Sequence, residues 1–190
     1  MRLFAAVFPP SDAVGELAHA LVPLGRLPGA EALRWTGRDT WHFTLAFYGE
    51  ADEEETADLT ARLARAARRC APVPLRLGGG GRFGDRALWA GLAPDSGRTG
   101  LMRLARSATA AGRRAGLVPE EDRPRFRPHL TVARSRGLVD LRPYVDELQR
   151  FQGSLWTAGE LVLVHSVPPP RGVPGARPRY EALERWALEG

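Results

Sequence analysis

Two tetrapeptides share one pattern of histidine, threonine and apolar side chains. They are His42-Phe43-Thr44-Leu45 and His129-Leu130-Thr131-Val132, and each lies in a run of alternating apolar residues. Because successive side chains of a β-strand point to opposite faces, each histidine shares a face with its threonine and the apolar residues lie behind them. The same alternation predicts that Phe47 lies with Phe43 and Leu45. The sequence therefore predicts two strands that each present one imidazole and one hydroxyl.

The segments that follow the two motifs are also alike. After the first motif, a polar loop precedes a predicted helix over Glu53–Cys70, with an acidic start and a basic end, and a strand over Pro72–Leu77. After the second motif, a loop precedes a shorter helix that reaches Arg150, and strand-like residues continue over Phe151–Val167. This order predicts an internal repeat in which a strand–helix–strand unit is used twice.

The rest of the chain predicts further elements of both types. They are a strand over Leu3–Phe8, a helix that begins at Ser11, a helix over Leu101–Gly116, an exposed charged loop over Glu120–Pro128, and a strand over Arg179–Leu188.

A glycine-rich segment superficially matches a dinucleotide-binding fingerprint. The segment reads Gly79-x-Gly81-x-x-Gly84, but the fingerprint requires a helix to follow, and Arg86–Leu92 is typical of a strand. We therefore interpret the segment as a hairpin connection and expect no bound cofactor.

Length and composition limit the possible classes of protein. A chain of 190 residues suits one compact domain over residues 1–190, with two small lobes that share a core. No apolar segment is long enough to span a bilayer, and the single cysteine, Cys70, excludes an internal disulfide and a multi-cysteine metal site. We expect a cytoplasmic protein with no membrane association.

The net charge of +5 permits a polyanionic partner such as RNA but does not require one. All 27 basic residues are arginine, and the chain has no lysine, asparagine or isoleucine. This bias is typical of a compositional pressure on a whole proteome, so the arginine count by itself says little about nucleic acid.

Two imidazoles and two hydroxyls on a common face suit phosphate chemistry. Near neutral pH one histidine can be a neutral base while the other is a protonated acid, and threonine hydroxyls can bind non-bridging oxygens. A cyclic phosphate is an apt substrate, because ring opening requires only activation of water and protonation of a ribose oxygen. Neither motif supplies a second histidine or a carboxylate at ligand spacing, so we expect no metal site. The other histidines are expected at the surface (His19) and in the core or in support of the site (His165).

The two tetrapeptides resemble the signature motifs of the two-histidine phosphoesterase superfamily. More narrowly, the chain resembles the bacterial and archaeal RNA 2′,3′-cyclic phosphodiesterases, also called 2′-5′ RNA ligase-like proteins, over nearly its full length. The segments that carry the resemblance are Arg2-Leu3-Phe4, Arg34-Trp35, the run from His42 to Gly49, Leu88-Trp89-Ala90-Gly91, and the run from Phe126 to Arg134. The resemblance implies a two-lobed α+β fold in which antiparallel sheets line a central groove and helices pack outside, with pseudo-twofold symmetry.

The resemblance also implies metal-independent hydrolysis of an RNA 2′,3′-cyclic phosphate end to a 2′-phosphate. It implies the following roles: His42 as proton donor, His129 as proton acceptor, Thr44 and Thr131 as phosphate ligands, Arg134 on substrate phosphate, and Phe47 or Phe126 stacked on a base.

Strict alternation creates a difficulty for the arginine, because it places Arg134 on the face opposite His129 whereas Arg127 shares the histidine face. Either the strand ends or twists after Ala133, or Arg127 contacts phosphate instead.

Two other functions stay open at this stage. One is RNA ligation through a 2′-5′ linkage, although a chain without lysine cannot form a lysyl adenylate. The other is a non-catalytic module that binds RNA ends. In each case we expect a monomer without cofactor or obligate protein partner, which acts on RNA ends or small cyclic nucleotides.

Overall fold

The computed structural model of the chain describes residues 1–117, 126–173 and 175–190, and these form a mixed α+β fold. Its strands are β1 (Arg2–Val7), β2 (Arg34–Trp35), β3 (Phe43–Glu50), β4 (Val73–Phe83), β5 (Ala87–Leu92), β6 (Leu130–Arg134), β7 (Gln152–Ala158), β8 (Glu160–Val167) and β9 (Arg179–Ala187). Its α-helices are α1 (Ser11–Leu21), α2 (Glu53–Arg68), α3 (Arg98–Arg114) and α4 (Arg142–Leu148). The predicted strand–helix–strand order after each motif is confirmed. Most of the loop predicted over Glu120–Pro128 lies outside the described residues.

The strands form two antiparallel sheets, each of which contains one motif strand. Sheet I has the order β3-β1-β8-β9, and sheet II has the order β2-β6-β5-β4-β7. In sheet I, β3 pairs with β1 and β1 with β8. In sheet II, β6 pairs with β5 and β5 with β4. Each sheet thus extends from its motif strand through three further antiparallel strands, and sheet II has the additional edge strand β2.

The helices cover the outer faces of the sheets, and two of them cross between the lobes. Helix α1 follows β1 of sheet I but packs against β7 of sheet II, whereas α3 follows β5 of sheet II and packs against β3 of sheet I. Helix α2 lies against β8 and β9, and α4 lies against β4 and β5. Because the lobes exchange helices in this way, one continuous apolar core joins them.

Local sequence accounts for the clearest helix, α2. Asp52 accepts a hydrogen bond from the backbone N–H of Glu55, and the Glu55 side chain accepts one from the backbone N–H of Asp52, which completes a capping box. Leu59 and Leu63 form the buried stripe on this helix. Cys70 is buried just beyond its end, as predicted for an apolar filler.

The glycine-rich segment is not a hairpin connection, so that prediction is wrong. Strand β4 continues through Gly78–Gly81 to Phe83 and pairs with β5 on one side and β7 on the other, with an irregularity at Gly79, where φ is 63°. The hairpin turn occupies residues 84–86, where Gly84 has a positive φ of 54°. A strand rather than a helix follows the turn, in agreement with the prediction.

Strand β3 contains a β-bulge at the fourth residue of the first motif. Consecutive β1 residues Ala5 and Ala6 pair with Ala46 and Thr44, so Leu45 is an extra residue on β3. Leu45 and Ala46 are both buried. The bulge therefore reverses the facing of Ala46 and Phe47, up to a second register shift at Tyr48.

Strand β6 contains a bulge at the equivalent position of the second motif. Consecutive β5 residues Leu88 and Trp89 pair with Ala133 and Thr131, so Val132 is the extra residue. Val132 and Ala133 are both buried. The two lobes thus share a bulge as well as a motif.

Within the described part of the chain, none of the helices combines the length and apolarity required to cross a membrane.

Candidate active site

A groove of about 1460 Å³ takes its lining from both sheets. All eight residues that the sequence predicted for the site line it: His42, Thr44, Phe47, Phe126, Arg127, His129, Thr131 and Arg134. The fold therefore brings two distant chain segments to one cavity, which residues of both motif strands, β3 and β6, line.

His42 lies immediately before β3, and both of its ring nitrogens make hydrogen bonds. Its Nδ1–H donates to the backbone carbonyl of Thr40 at 2.7 Å, so Nε2 is the unprotonated nitrogen of the neutral ring. The hydroxyl of Thr44 lies 3.1 Å from this Nε2. The imidazole is thus held in one tautomer, with Nε2 and the Thr44 hydroxyl side by side.

Aromatic rings surround His42 on several sides. Phe4 stacks on the imidazole at a centroid distance of 4.9 Å, Tyr180 contacts it edge-on at 5.2 Å, and Phe8 lies at 5.4 Å. This burial lowers the pKa of His42 from 6.5 to about 4, against the opposing effect of the Thr40 carbonyl, and the nearby His129 lowers it further. His42 is therefore neutral near pH 7 in the free protein.

His129 repeats the anchoring seen at His42. Its Nδ1–H donates to the backbone carbonyl of Arg127 at 2.7 Å, again two residues earlier in the chain. Phe83 contacts the ring edge-on at a centroid distance of 4.8 Å, and Trp89 lies at 6.0 Å. Both imidazoles thus bind a backbone carbonyl two residues earlier in the chain through Nδ1.

Both candidate arginines line the groove, and the bulge in β6 explains the position of Arg134. Thr131 faces the groove, Val132 and Ala133 are both buried, and Arg134 then returns to the groove face. The expectation from strict alternation, that Arg134 lies opposite His129, is wrong. Arg127 lines the groove as well, with its guanidinium 5.9 Å from the centre of the Trp89 ring.

The bulge in β3 has the same effect on Phe47. The sequence predicted that Phe47 lies with Phe43 and Leu45 behind the motif, and the structure contradicts this. Phe47 pairs with Phe4, which lies on the groove side of sheet I, and both residues belong to a small apolar cluster separate from the main core. Phe126 also lines the groove but packs partly against the main core.

The charged side chains in the described lining of the groove are all positive. Among the described residues that line it there are six arginines and no aspartate or glutamate: Arg34, Arg98, Arg113, Arg127, Arg134 and Arg177. A lining of this kind favours an anionic ligand. In the described ranges, no group of three or more histidine, cysteine, aspartate or glutamate residues lies close enough together to hold a metal ion.

Sequence reasoning missed several residues of the site. Phe4, Phe83, Trp89 and Tyr180 contact the imidazoles, and Arg34 lines the groove. Phe4, Trp89 and Arg34 stand in segments that carried the resemblance, but their positions in the groove depend on which strands pair. No local pattern identified Tyr180, which comes from the last strand.

The two other histidines lie outside the groove lining. His19 is exposed on α1, as predicted. His165 was expected in the core or in support of the site. Its side chain is partly exposed on β8, and its Nδ1 lies 3.8 Å from Glu181.

The chain is similar to known proteins over most of its length. A family model described as the 2′-5′ RNA ligase superfamily matches residues 10–167. A protein of Thermus thermophilus named RNA 2′,3′-cyclic phosphodiesterase is 33% identical over 198 residues, which cover 100% of this chain and 91% of the relative.

Solved structures show the same fold. The crystal structure of TT0787 of Thermus thermophilus has a TM-score of 0.76 and 32% identity, and the match covers 100% of this chain and 99% of that one. The crystal structure of Escherichia coli LigT complexed with phosphate has a TM-score of 0.73 and 26% identity, over 100% of this chain and 98% of that one.

Proposed function

The chain belongs to the 2′-5′ RNA ligase superfamily, and we propose that it hydrolyses the 2′,3′-cyclic phosphate at an RNA end to a 2′-phosphate without a metal ion. One observation carries the proposal: two imidazoles in the same tautomer, each accompanied by a motif threonine, line one arginine-rich groove. The activity name of the Thermus thermophilus relative supports it.

The reaction needs two proton transfers. Nε2 of neutral His129 takes a proton from water, and the water oxygen attacks phosphorus in line with the bond to O3′. That P–O3′ bond breaks, and Nε2–H of protonated His42 gives its proton to O3′, which leaves a free 3′-hydroxyl and a 2′-phosphate. Throughout these steps, both Nδ1–H groups keep their bonds to the carbonyls of Thr40 and Arg127.

The threonines stabilise the charge that develops on the non-bridging oxygens. Thr44 and Thr131 are equivalent positions on β3 and β6, so their hydroxyls can approach one phosphate from two sides. A hydroxyl donates a hydrogen bond without adding a negative charge of its own. Arg127 and Arg134 supply positive charge to the substrate phosphates, and Phe47 or Phe126 stacks on a base.

The lowered pKa of His42 links its protonation to the substrate. A neutral His42 cannot donate a proton, but a phosphate anion beside Nε2 favours the imidazolium form and raises its pKa. His42 therefore becomes the acid when the anionic substrate is bound. The opposite assignment, with His42 as base and His129 as acid, uses the same residues and is distinguished by the titration of His42 with and without phosphate.

The groove needs no second subunit, because all eight predicted site residues come from one chain. We propose that the protein acts as a monomer without an obligate protein partner.

The test uses an oligoribonucleotide that ends in a 2′,3′-cyclic phosphate, incubated with the purified protein in EDTA. We expect ring opening to the 2′-phosphate, and we expect His42→Ala and His129→Ala each to lower kcat by at least about 100-fold, the usual contribution of one proton transfer. His19→Ala is the matched control and should leave the rate unchanged, since His19 is exposed and outside the groove lining.

Three outcomes contradict the proposal. Binding of the RNA end without product indicates a binding module. Joining of two RNA ends in place of ring opening indicates a ligase. Loss of the wild-type activity in EDTA indicates a metal-dependent reaction.

A further inference from the structure

The loop that joins β2 to β3 crosses from one sheet to the other. Strand β2 pairs with β6 in sheet II, and β3 belongs to sheet I, so residues 36–42 connect the two. The loop contains a single 3₁₀ turn over Arg38–Thr40 and ends at His42. The Thr40 carbonyl that accepts from the Nδ1–H of His42 is part of this loop. The position of the first imidazole therefore depends on how the loop is held.

Thr36, the first residue of the loop, binds the bulge of the second motif strand. Its hydroxyl donates to the Thr131 carbonyl at 2.8 Å and to the Val132 carbonyl at 3.1 Å. Its backbone N–H also donates to the Val132 carbonyl, at 3.0 Å. A bulge interrupts the hydrogen bonds between strands, and the backbone groups of the extra residue need other partners. Thr36 supplies the donors for both carbonyls, so it holds β6 at the point where Val132 is inserted.

Trp41 connects the other end of the loop to the same hydroxyl. Its indole Nε1–H donates to the Thr36 Oγ1 at 2.8 Å. Trp41 is buried in the main core, and His42 follows it directly in the chain. A hydroxyl has one proton to donate, and that of Thr36 is bound to the carbonyls of β6. Although Thr36 lines the groove, its hydroxyl therefore joins protein to protein.

These hydrogen bonds link the two halves of the candidate site. They run from Trp41, next to His42, through Thr36 to Thr131, the threonine of the second motif, and none is longer than 3.1 Å. Two imidazoles that act on one phosphate need a fixed separation, because a misplacement of about 1 Å can lower a rate by about 100-fold. A rigid connection between the motifs meets this need.

We propose that Thr36 and Trp41 are positioning residues that fix the separation between the imidazoles of His42 and His129. This proposal rests on the proposed function, since it requires both histidines to act on one cyclic phosphate. Neither Thr36 nor Trp41 has to contact the substrate. Their contribution therefore lies in the chemical step and not in substrate binding.

The test measures kcat and KM of Thr36→Val on the oligoribonucleotide that ends in a 2′,3′-cyclic phosphate. Valine keeps the branched shape of threonine and removes the hydroxyl. We expect kcat to fall by about 10- to 100-fold. KM should stay close to the wild-type value, because the substrate keeps its contacts. Thr36→Ser keeps the hydroxyl and should restore kcat to near that of the wild type.

Trp41→Phe tests the other end of the connection. It keeps a buried ring and removes the indole N–H, so kcat should again fall while KM stays in place. In the double variant with Thr36→Val, the loss in kcat should be smaller than the product of the two single losses, because both substitutions break the same set of hydrogen bonds. Trp41→Phe also provides the test if Thr36→Val does not fold.

Tyr48→Phe is the matched control. It removes a buried hydroxyl that donates to the Ala108 carbonyl at 3.0 Å, and Tyr48 lies outside the groove lining. Because each variant loses a hydroxyl–carbonyl hydrogen bond, Tyr48→Phe and Thr36→Val should both lower the temperature of thermal unfolding. Only Thr36→Val should lower kcat.

Four results overturn the proposal: an unchanged kcat in Thr36→Val or Trp41→Phe, a loss that lies in KM alone, a Thr36→Ser variant as slow as Thr36→Val, and an equal fall of kcat in Tyr48→Phe. A double variant whose loss equals the product of the single losses also overturns it. If the wild-type protein opens no cyclic phosphate, the proposed function itself is wrong.

Discussion

At the scale of single residues, the surroundings of His42 decide its charge. Phe4 stacks on the imidazole and Tyr180 contacts its edge, while Nδ1–H is bound to a backbone carbonyl. Burial against these rings favours the neutral form and lowers the pKa of His42 to about 4. The motif thus provides the imidazole, and the neighbouring strands set its protonation.

The titration of His42 tests this directly. In a two-dimensional NMR pH titration of the histidine side chains, we expect a midpoint of about 4 for His42 in the free protein and a higher midpoint with bound inorganic phosphate. Phe4→Leu should move the free-protein midpoint towards 6.5, because a smaller side chain admits water to the ring.

Phe83→Leu, next to His129, is the matched control and should leave the His42 midpoint in place. A wild-type midpoint near 6.5 contradicts this account. A midpoint that phosphate does not raise favours His42 as the base.

The same shift makes stability depend on pH. In the unfolded chain His42 binds a proton near pH 6.5, and in the folded chain only near pH 4, so protons favour unfolding between these values. The contribution is therefore fully present above about pH 6.5 and is lost as the pH falls towards 4. Phe4→Leu should reduce the share of this loss that comes from His42.

At the scale of elements, the glycine-rich part of β4 provides space for Trp89 of the adjacent strand β5. A Cβ atom built at Gly81 would lie less than 3.0 Å from the Cζ2, Cη2 and Cε2 atoms of Trp89. Trp89 in turn pairs with Thr131, lies near His129 and contacts the Arg127 guanidinium. The glycine segment, which superficially matched a cofactor loop, therefore supports the ring beside His129.

A pair of substitutions tests this packing. Gly81→Ala should displace Trp89 and lower kcat on the cyclic phosphate by about tenfold, with a stability loss of about 1–3 kcal/mol from overpacking. Adding Trp89→Phe removes the outer ring atoms that the new methyl group would meet, so the double variant should recover part of both losses. The measurements are kcat and KM at fixed pH, together with thermal unfolding.

Gly159→Ala is the control, because a Cβ atom there would have no neighbour within 4 Å. If Gly81→Ala behaves like Gly159→Ala, or if the double variant is merely additive, Trp89 does not position the site.

At the scale of the whole molecule, the exchange of α1 and α3 between the lobes joins them into one core. Leu104 of α3 and Leu63 of α2 are fully buried in the same cluster as Leu88 of sheet II. Neither lobe can separate from the other without exposing this shared surface. We therefore propose that residues 1–190 unfold as a single domain.

Denaturant unfolding tests the single domain. Circular dichroism and tryptophan fluorescence should give coincident single transitions. Leu104→Ala should lower the free energy of unfolding by about 2–5 kcal/mol while the transition stays single. Two separate transitions, or a Leu104→Ala variant that melts only one of them, indicate independently stable lobes.

The sequence by itself predicted the four residues that we propose for the chemistry and the elements that carry them. His42, Thr44, His129 and Thr131 were found from local alternation, and the strand–helix–strand order was found from hydrophobic periodicity, because both patterns are set by neighbours along the chain. The tertiary structure decided which face of the strand the side chains after each motif point to. Phe47 and Arg134 reach the groove only through bulges, and a bulge is defined by the partner strand.

The same reason explains what else the sequence did not reveal. The rings around His42 and His129 come from β1, β4, β5 and β9, and Thr36 binds the Thr131 carbonyl only because β2 lies beside β6. Pairing between strands that are far apart in the sequence depends on the packing of the whole core, and a local pattern contains no information about it.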